Sequence, residues 1–377
     1  MTIILLLFLY MQFVNEYIFQ LPRNPYFTYI ITVIIFGFVL MFFFQKLTSG
    51  KIDKLMIAYF ICLPLVLINE SFIASINIFG FALYLRNKEV ISIEKLGKTI
   101  FIINLIVIII LAVRIYENNE LVRVWGQKLG RDIIVYGFNN PNTQAEFFYF
   151  CALGVWLAIK NKYLRNILVV IIALVAYHIS LGRTYLLATI SLSIVDFVIN
   201  AKLFRYYKFF LVVTPIMVTI MMFVFGYLTR GLYVGGIIDS GVAGRLFFSG
   251  YIMGNLDLFR FFLGFSNIMT YIILDVSTFA IFATRGMIML IFMLYCYIKY
   301  VRAISSHHYR YFPAIVSSVM AGITLPMLAW FSINMIIFLC LLEHARKINH
   351  SYQIDITERV TSEKKSRALF LIFHNKL

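Results

Sequence analysis

Lys98-Thr-Ile-Phe-Ile-Ile-Asn-Leu-Ile-Val-Ile-Ile-Ile-Leu-Ala-Val-Arg114-Ile115 is one apolar run with a cation near each end. As an α-helix its 18 residues reach about 27 Å, close to the hydrocarbon thickness of a bilayer. A transmembrane β-strand would instead alternate apolar and polar residues over ~10 positions. Here Ile, Leu and Val run without alternation. The stretch reads as a helix that crosses a membrane, with Lys on one side and Arg on the other.

The same kind of run recurs along the chain. Helices are expected near 2–20, 27–45, 55–69, 71–85, 98–115, 143–160, 166–181, 184–200, 209–228, 277–299, 312–326 and 327–342. The blocks 55–85 and 312–342 are each too long for one upright helix, at about 46 Å. Asn69-Glu70 and Pro326 offer hairpin tips, so each block is read as two helices. Composition agrees: 62% of the 377 residues are hydrophobic and 13% are charged, against roughly 25% charged in a soluble domain. The expected fold is an all-α polytopic membrane protein of about 12 transmembrane helices. Residues 1–342 form a single integral membrane domain, and 343–377 form a basic cytoplasmic tail. The N-terminus, Met1-Thr-Ile-Ile-Leu-Leu-Leu, has no basic flank and no small-residue cleavage site, so it reads as a retained first helix. Cys62, Cys151, Cys296 and Cys340 all fall in apolar runs without metal-ligand spacing.

Orientation follows from the lysines. The loops with Lys46/Lys51/Lys54, Lys88/Lys95/Lys98, Lys160/Lys162, Lys202/Lys208 and Lys299 fall on one side together with the tail. By the positive-inside rule that side is the cytoplasm, with both termini there. The net charge of +16 is thereby explained without nucleic acid. The opposite loops carry Arg23, Arg123, Lys128, Arg131, Arg183, Arg230, Arg245 and Arg260, and Arg114 and Arg285 sit just inside helices near that side. All but Lys128 are Arg, whose planar fork binds phosphate in bidentate fashion. The set points to an anionic, phosphate-bearing ligand at the outer leaflet. Single members of it could equally snorkel or pair with nearby carboxylates.

Three outer segments hold the candidate chemistry. The first ends Arg131-Asp-Ile-Ile-Val-Tyr-Gly137-Phe-Asn139-Asn140-Pro141-Asn142-Thr-Gln144-Ala-Glu146. Gly137 and the Asn-Asn-Pro-Asn run break the chain, and Asn142-Thr143 would cap the incoming helix. Asn142 and Gln144 are candidates for binding sugar hydroxyls. The second is Tyr177-His178-Ile-Ser180-Leu-Gly182-Arg183-Thr184-Tyr185, a hairpin tip in which His178 is a candidate general base or a packing residue. The third is the long outer loop Thr229–Asp275, with eight of the 20 glycines, Arg230, Arg245, Arg260, Asp239, Asp257 and Asp275, and no Lys or Glu. Much of it is expected to form an amphipathic helix at the interface. Asp275 begins the return into the membrane, where it suits either the helix dipole or a catalytic role. There is no Gly-Lys-Ser/Thr phosphate loop, no outer Asp-x-Asp pair and no His/Cys cluster. No cofactor or metal is expected.

These segments give the chain a resemblance to the bacterial O-antigen and capsular polysaccharide polymerases (the Wzy class), relatives of the O-antigen ligases. Arg131…Gly137-Phe-Asn-Asn-Pro-Asn142 resembles that superfamily's Arg…Gly-Phe-x-His-Pro-Asn pattern. Ser180-Leu-Gly-Arg183-Thr resembles its Ser-x-Ser-Arg-Thr/Gly pattern, with Gly182 in place of the second Ser. The long loop with Arg245 near its start and Gly264 before Asp275…Gly286 completes the order. The similarity covers roughly residues 100–300. Asn140 replaces a His, and Asp275 stands where the ligase branch carries a His, which favours a polymerase.

The resemblance implies a GT-C-like, metal-independent glycosyltransferase in the bacterial cytoplasmic membrane, its active site facing outside. Its substrate would be an undecaprenyl-diphosphate-linked glycan, with membrane lipid around it and a chain-length regulator as a further partner. Arg131, Arg183 and Arg245 would clamp the diphosphate, with Arg230 and Arg260 nearby. Asp275 or His178 would take the acceptor's proton. The rival readings are a flippase or exporter of the same lipid-linked glycan, a ligase-like glycan transferase, and a scaffold without chemistry.

Overall fold

The computed structural model describes residues 1–22, 24–47, 54–87, 92–128, 131–180, 183–199, 201–230, 242–265, 277–304, 311–324 and 332–347. Helix dominates them. In chain order the helices are α1 (Thr2–Phe13, continued by a π turn Val14–Ile18), α2 (Pro25–Leu47), α3 (Lys54–Ile68), α4 (Phe72–Asn87), α5 (Ile93–Glu117), α6 (Pro141–Ala158), α7 (Lys162–Ser180), α8 (Arg183–Val198), α9 (Ala201–Leu228), α10 (Val242–Gly254), α11 (Leu258–Leu263), α12 (Ser277–Ala303) and α13 (Phe312–Thr324). A further helix, α14, spans 333–347. Each of the twelve helical segments expected from the sequence carries a helix, and the expected break at Asn69-Glu70 separates α3 from α4. Pro326 lies outside the described residues.

Five helices are long and apolar enough to cross a membrane by length and composition: α2, α5, α7, α9 and α12. Their apolar residues are not confined to the core. On α5, Ile103, Val107 and Leu111 are buried while Ile102, Leu105, Ile106, Ile109 and Val113 are exposed. A helix in water would carry polar residues on that second face. An apolar outward face fits lipid as the solvent, so the architecture is compatible with an all-α membrane protein.

The inner helices meet through small residues, as interfaces formed in lipid do. Gly97 of α5 and Gly154 of α6 face each other's helices. A Cβ on Gly97 would lie 2.6 Å from the Leu157 and Ala158 backbone, and one on Gly154 would lie 3.1 Å from the Phe101 nitrogen. The α5–α6 pair is therefore close-packed along its length. Around it, α6 contacts α7 and α8, α8 contacts α13, and α9 contacts α10 and α12.

Three features depart from the sequence reading. Between α5 and α6 stands an antiparallel hairpin, β1 (Val122–Lys128) and β2 (Arg131–Tyr136), with a register shift between Val124 and Gly126. The alternation in Val122-Arg-Val124-Trp is a strand signal that the dominant helical runs overshadow. Second, the segment 229–275 holds α10, packed on α9, and the short α11, packed on α12; the expected amphipathic helix is α10. Third, α14 runs to residue 347, into the stretch read as tail, with Glu343 buried and held by the Arg346 side chain. Residues 348–377 lie outside the described residues.

Candidate functional site

The α1 π turn, the end of α5, the hairpin and the starts of α6 and α8 meet at one end of the bundle. The joint begins with backbone groups. The Arg114 guanidinium of α5 donates to the Ile18 carbonyl and lies over the Phe19 ring, 4.5 Å from its centroid. It thus caps carbonyls that the π turn leaves unpaired. The Asn139 amide donates to the Tyr17 carbonyl at 2.9 Å, and the Arg123 side chain donates to the Asn139 carbonyl at 3.1 Å. Arg114 and Arg123 therefore hold the backbone of this end together.

The chain turns at Gly137 (φ 73°), whose amide donates to Leu121 at 2.9 Å. Helix α6 then starts. Its cap is Asn140, not the expected Asn142: the Asn140 side chain accepts from the Thr143 amide at 2.9 Å, and Pro141 takes the first helical position. Asn142 is exposed on the first turn. Gln144 is fully buried, and both ends of its amide are used. It accepts from the Tyr136 amide at 2.7 Å and donates to the Ile134 carbonyl at 3.0 Å. Gln144, the candidate for binding sugar hydroxyls, is thus a backbone clamp on β2. The clamp fixes the first turn of α6, the helix that carries Glu146. Replacing Gln144 by Leu would leave the buried amide and carbonyl unpaired, at about 1–3 kcal/mol. The expected result is a lower unfolding midpoint in detergent together with new protease cleavage inside 122–136. An unchanged digestion pattern would refute the clamp.

Below the hairpin lies a file of polar side chains inside an aromatic wall of Phe13, Phe138, Phe147 and Phe150. Glu146 of α6 faces the Tyr185 hydroxyl of α8 and is influenced by Glu16 on the π turn. Tyr149 and Tyr185 bring their rings within 6.1 Å. The Ser317 hydroxyl of α13 is 3.3 Å from the Tyr149 hydroxyl and donates to the Ala188 carbonyl at 2.6 Å. Tyr10 and Asn104, each 2% exposed, face the same region. Neither the Tyr10 hydroxyl nor the Asn104 amide completes a hydrogen bond among the described residues. The structure thus joins the two sequence segments Asn139–Glu146 and Arg183–Tyr185. The residues that meet were not the ones singled out: Glu16, Tyr10, Asn104 and Tyr149 sit in apolar runs, where only contact across helices sets them apart from core positions.

The remaining candidates are placed as follows. Arg131 is the first residue of β2, paired in register with Lys128, five residues from Tyr136. It therefore stands at the hairpin tip, about 17 Å along the strand from Tyr136 at the other end of β2. Arg183 opens α8, and Arg245 lies in the first turn of α10; the side chains of these three arginines lie outside the described residues, as does all of Asp275. Elements β2 and α8 share α6 and α7 as neighbours, whereas α10 packs on α9. Arg131 and Arg183 thus belong to one cluster of elements and Arg245 to another. Arg230 lies over the Tyr227 ring, 3.7 Å from its centroid. Arg260 pairs with Asp257 at 3.4 Å and donates to the Asn255 carbonyl at 3.0 Å, so it ties α11 to the connection that precedes it.

His178 is exposed. It continues the outward stripe of α7 formed by Ile167, Ile171 and Leu174, whereas Val169, Ala173, Ala176 and Ser180 face in. The 3.6-residue period therefore turns His178 away from the Glu146 file.

A second polar joint lies where α11 meets α12. Asn69, in the α3–α4 turn, donates to the Leu263 carbonyl at 3.1 Å and to the Thr284 carbonyl at 2.6 Å. Arg285 is wholly buried, and its Nε donates to the Ser71 carbonyl at 3.0 Å. Helix α12 is broken next to it at Gly286. No group of three or more His, Cys, Asp or Glu side chains placed to hold a metal ion occurs among the described residues. No protein-family model matches the sequence, and no curated protein or solved structure is significantly similar to it.

Proposed function

We propose that the chain is a polysaccharide polymerase of the cytoplasmic membrane. It joins undecaprenyl-diphosphate-linked oligosaccharide repeats at the outer face and releases undecaprenyl diphosphate. The observation that carries this reading is the meeting of the two motif segments, Asn139–Glu146 and Arg183–Tyr185, at one end of an apolar helical bundle. Arginine rather than lysine dominates the loops of that end. A diphosphate leaving group gathers charge as its bond to the sugar breaks, and fixed guanidinium donors stabilise that charge. Arg131, Arg183 and Arg245 are the proposed donors. The polar file below the hairpin, rich in hydroxyl and amide groups, suits a sugar better than an apolar ligand.

The test is chain extension. Arg245→Ala is expected to abolish polymer formation while the protein accumulates in the membrane at its normal level. Normal polymer length and amount would remove Arg245 from the mechanism. Cells lacking the chain are expected to accumulate single lipid-linked repeats exposed outside. Accumulation on the inner face would identify a flippase and refute the polymerase reading.

A further inference from the structure

We propose that Glu146 is the group that accepts the proton of the acceptor sugar hydroxyl, in a cleft between the start of α6, the α1 π turn and the start of α8. This assignment rests on the polymerase reading above. The sequence offered Asp275 and His178 for the task, and His178 faces away from the bundle.

Glu146 has the required surroundings. It lies six residues after the helix cap, about 9 Å down α6, and is partly rather than fully enclosed. The π turn brings a second carboxylate, Glu16, into its field, and α8 brings the Tyr185 hydroxyl. Turns of the π type inside α-helices are frequent at functional sites. This one offsets Glu16 and Tyr17 from the regular α1 face.

A second observation points to the ligand. Tyr10 and Asn104 are almost wholly buried and face one another near Glu146, and the hydroxyl and both amide atoms complete no well-formed hydrogen bond among the described residues. Buried polar groups are normally paired. A sugar, with several hydroxyls that both donate and accept, matches this set; an acyl or isoprenoid chain does not. Arg183 begins the same helix that carries Tyr185, two residues on.

The step balances without any further reactant. The acceptor oxygen forms a bond to the donor's anomeric carbon, and its hydrogen passes to a Glu146 carboxylate oxygen. The anomeric carbon–oxygen bond to the diphosphate breaks, and undecaprenyl diphosphate leaves with the electron pair. Glu146 then releases its proton to water after the product moves on.

The experiment uses the full-length chain in proteoliposomes, with lipid-linked repeats extracted from cells that lack it, and two readouts. One is the polymer ladder; the other is the rise in unfolding midpoint caused by the extracted repeat. Glu146→Gln keeps size and hydrogen bonding but cannot accept the proton. Its ladder is expected to fall by roughly 10²–10⁴-fold while the substrate-induced rise in midpoint is retained. A ladder within about threefold of wild type would overturn the assignment, because general-base loss costs far more than that. So would loss of the ladder together with loss of the midpoint rise, which marks a binding or folding role. Absence of a ladder from the wild-type chain would instead refute the polymerase reading.

Discussion

Gly286→Ala is expected to abolish accumulation of the folded protein. Gly286 sits at φ 81°, ψ 178° inside α12, a region of backbone space that is essentially restricted to glycine. A Cβ there would lie 2.0 Å from the Phe262 carbonyl oxygen and 2.5 Å from the Leu263 nitrogen, both backbone atoms that no rotamer change can move. The contact is reciprocal. Gly264, at φ 77°, would place a Cβ 2.3 Å from the Arg285 nitrogen and the Thr284 carbonyl carbon. The Phe265 amide donates to the Ala283 carbonyl at 2.7 Å across the same gap, and Asn69 donates to both chains. Helix α12 is thus broken so that the end of α11 can lie against its backbone, and Asn69 ties both to the α3–α4 turn. Strain and overlap together place the cost above about 4 kcal/mol, in the exceptional range for a point substitution. Gly37 is the control: a Cβ there meets nothing within 4 Å, so Gly37→Ala is expected to be neutral or stabilising by up to about 1 kcal/mol. Membrane yield and unfolding midpoint in detergent are the measurements. A Gly286→Ala protein with wild-type yield and midpoint would refute the backbone contact.

The second large effect concerns a buried ion pair. The Arg165 guanidinium of α7 donates through Nε to Asp196 Oδ2 at 3.1 Å and through Nη2 to Oδ1 at 2.5 Å. Asn166 adds a third donor to Oδ2 at 2.7 Å, and the Trp156 ring of α6 covers the guanidinium at 4.5 Å. Both charged side chains are 6% exposed. Removing one partner strands the other charge in a low-dielectric interior, at about 3–5 kcal/mol, whereas replacing both by apolar residues of similar volume is often near neutral. Arg165→Met and Asp196→Leu are each expected to lower the unfolding midpoint strongly, and the double variant to recover most of the loss. If the double variant is as unstable as the sum of the single ones, the two residues do not act as a pair. If the single variants are harmless, the pair is not buried in the folded membrane protein.

Much of the fold was legible because lipid imposes a simple rule. A helix that hides its own backbone hydrogen bonds needs about 20 apolar residues, and such runs show without any knowledge of neighbours. Helices stand where the apolar runs place them, five of them long and apolar enough to cross a membrane, and Asn69 marks a helix break as expected. The β-hairpin was hidden for the same reason. Seven residues of β1 and six of β2 are short beside the apolar runs, and Val and Ile are as common in lipid-facing helix as in strand.

The candidate site was legible only as a pair of segments. The sequence marks Asn139–Glu146 and Arg183–Tyr185 by their polar residues at helix starts, and the two segments do meet. It does not rank the residues within them. Gln144 reads as a free amide until β2 is seen to occupy both its ends. His178 reads as a candidate base until the turn of α7 sets it in line with Ile167 and Ile171.

By itself, then, the sequence determined the apolar character of the chain and the helix positions, because each is a property of local composition and periodicity. Only the tertiary structure decided which polar side chains face one another: Glu146 with Tyr185, Arg165 with Asp196, Asn69 with Leu263 and Thr284. Those pairings join residues up to 215 positions apart. They depend on the rotation of each helix about its axis, which packing between close-fitting surfaces fixes and an apolar run alone leaves open.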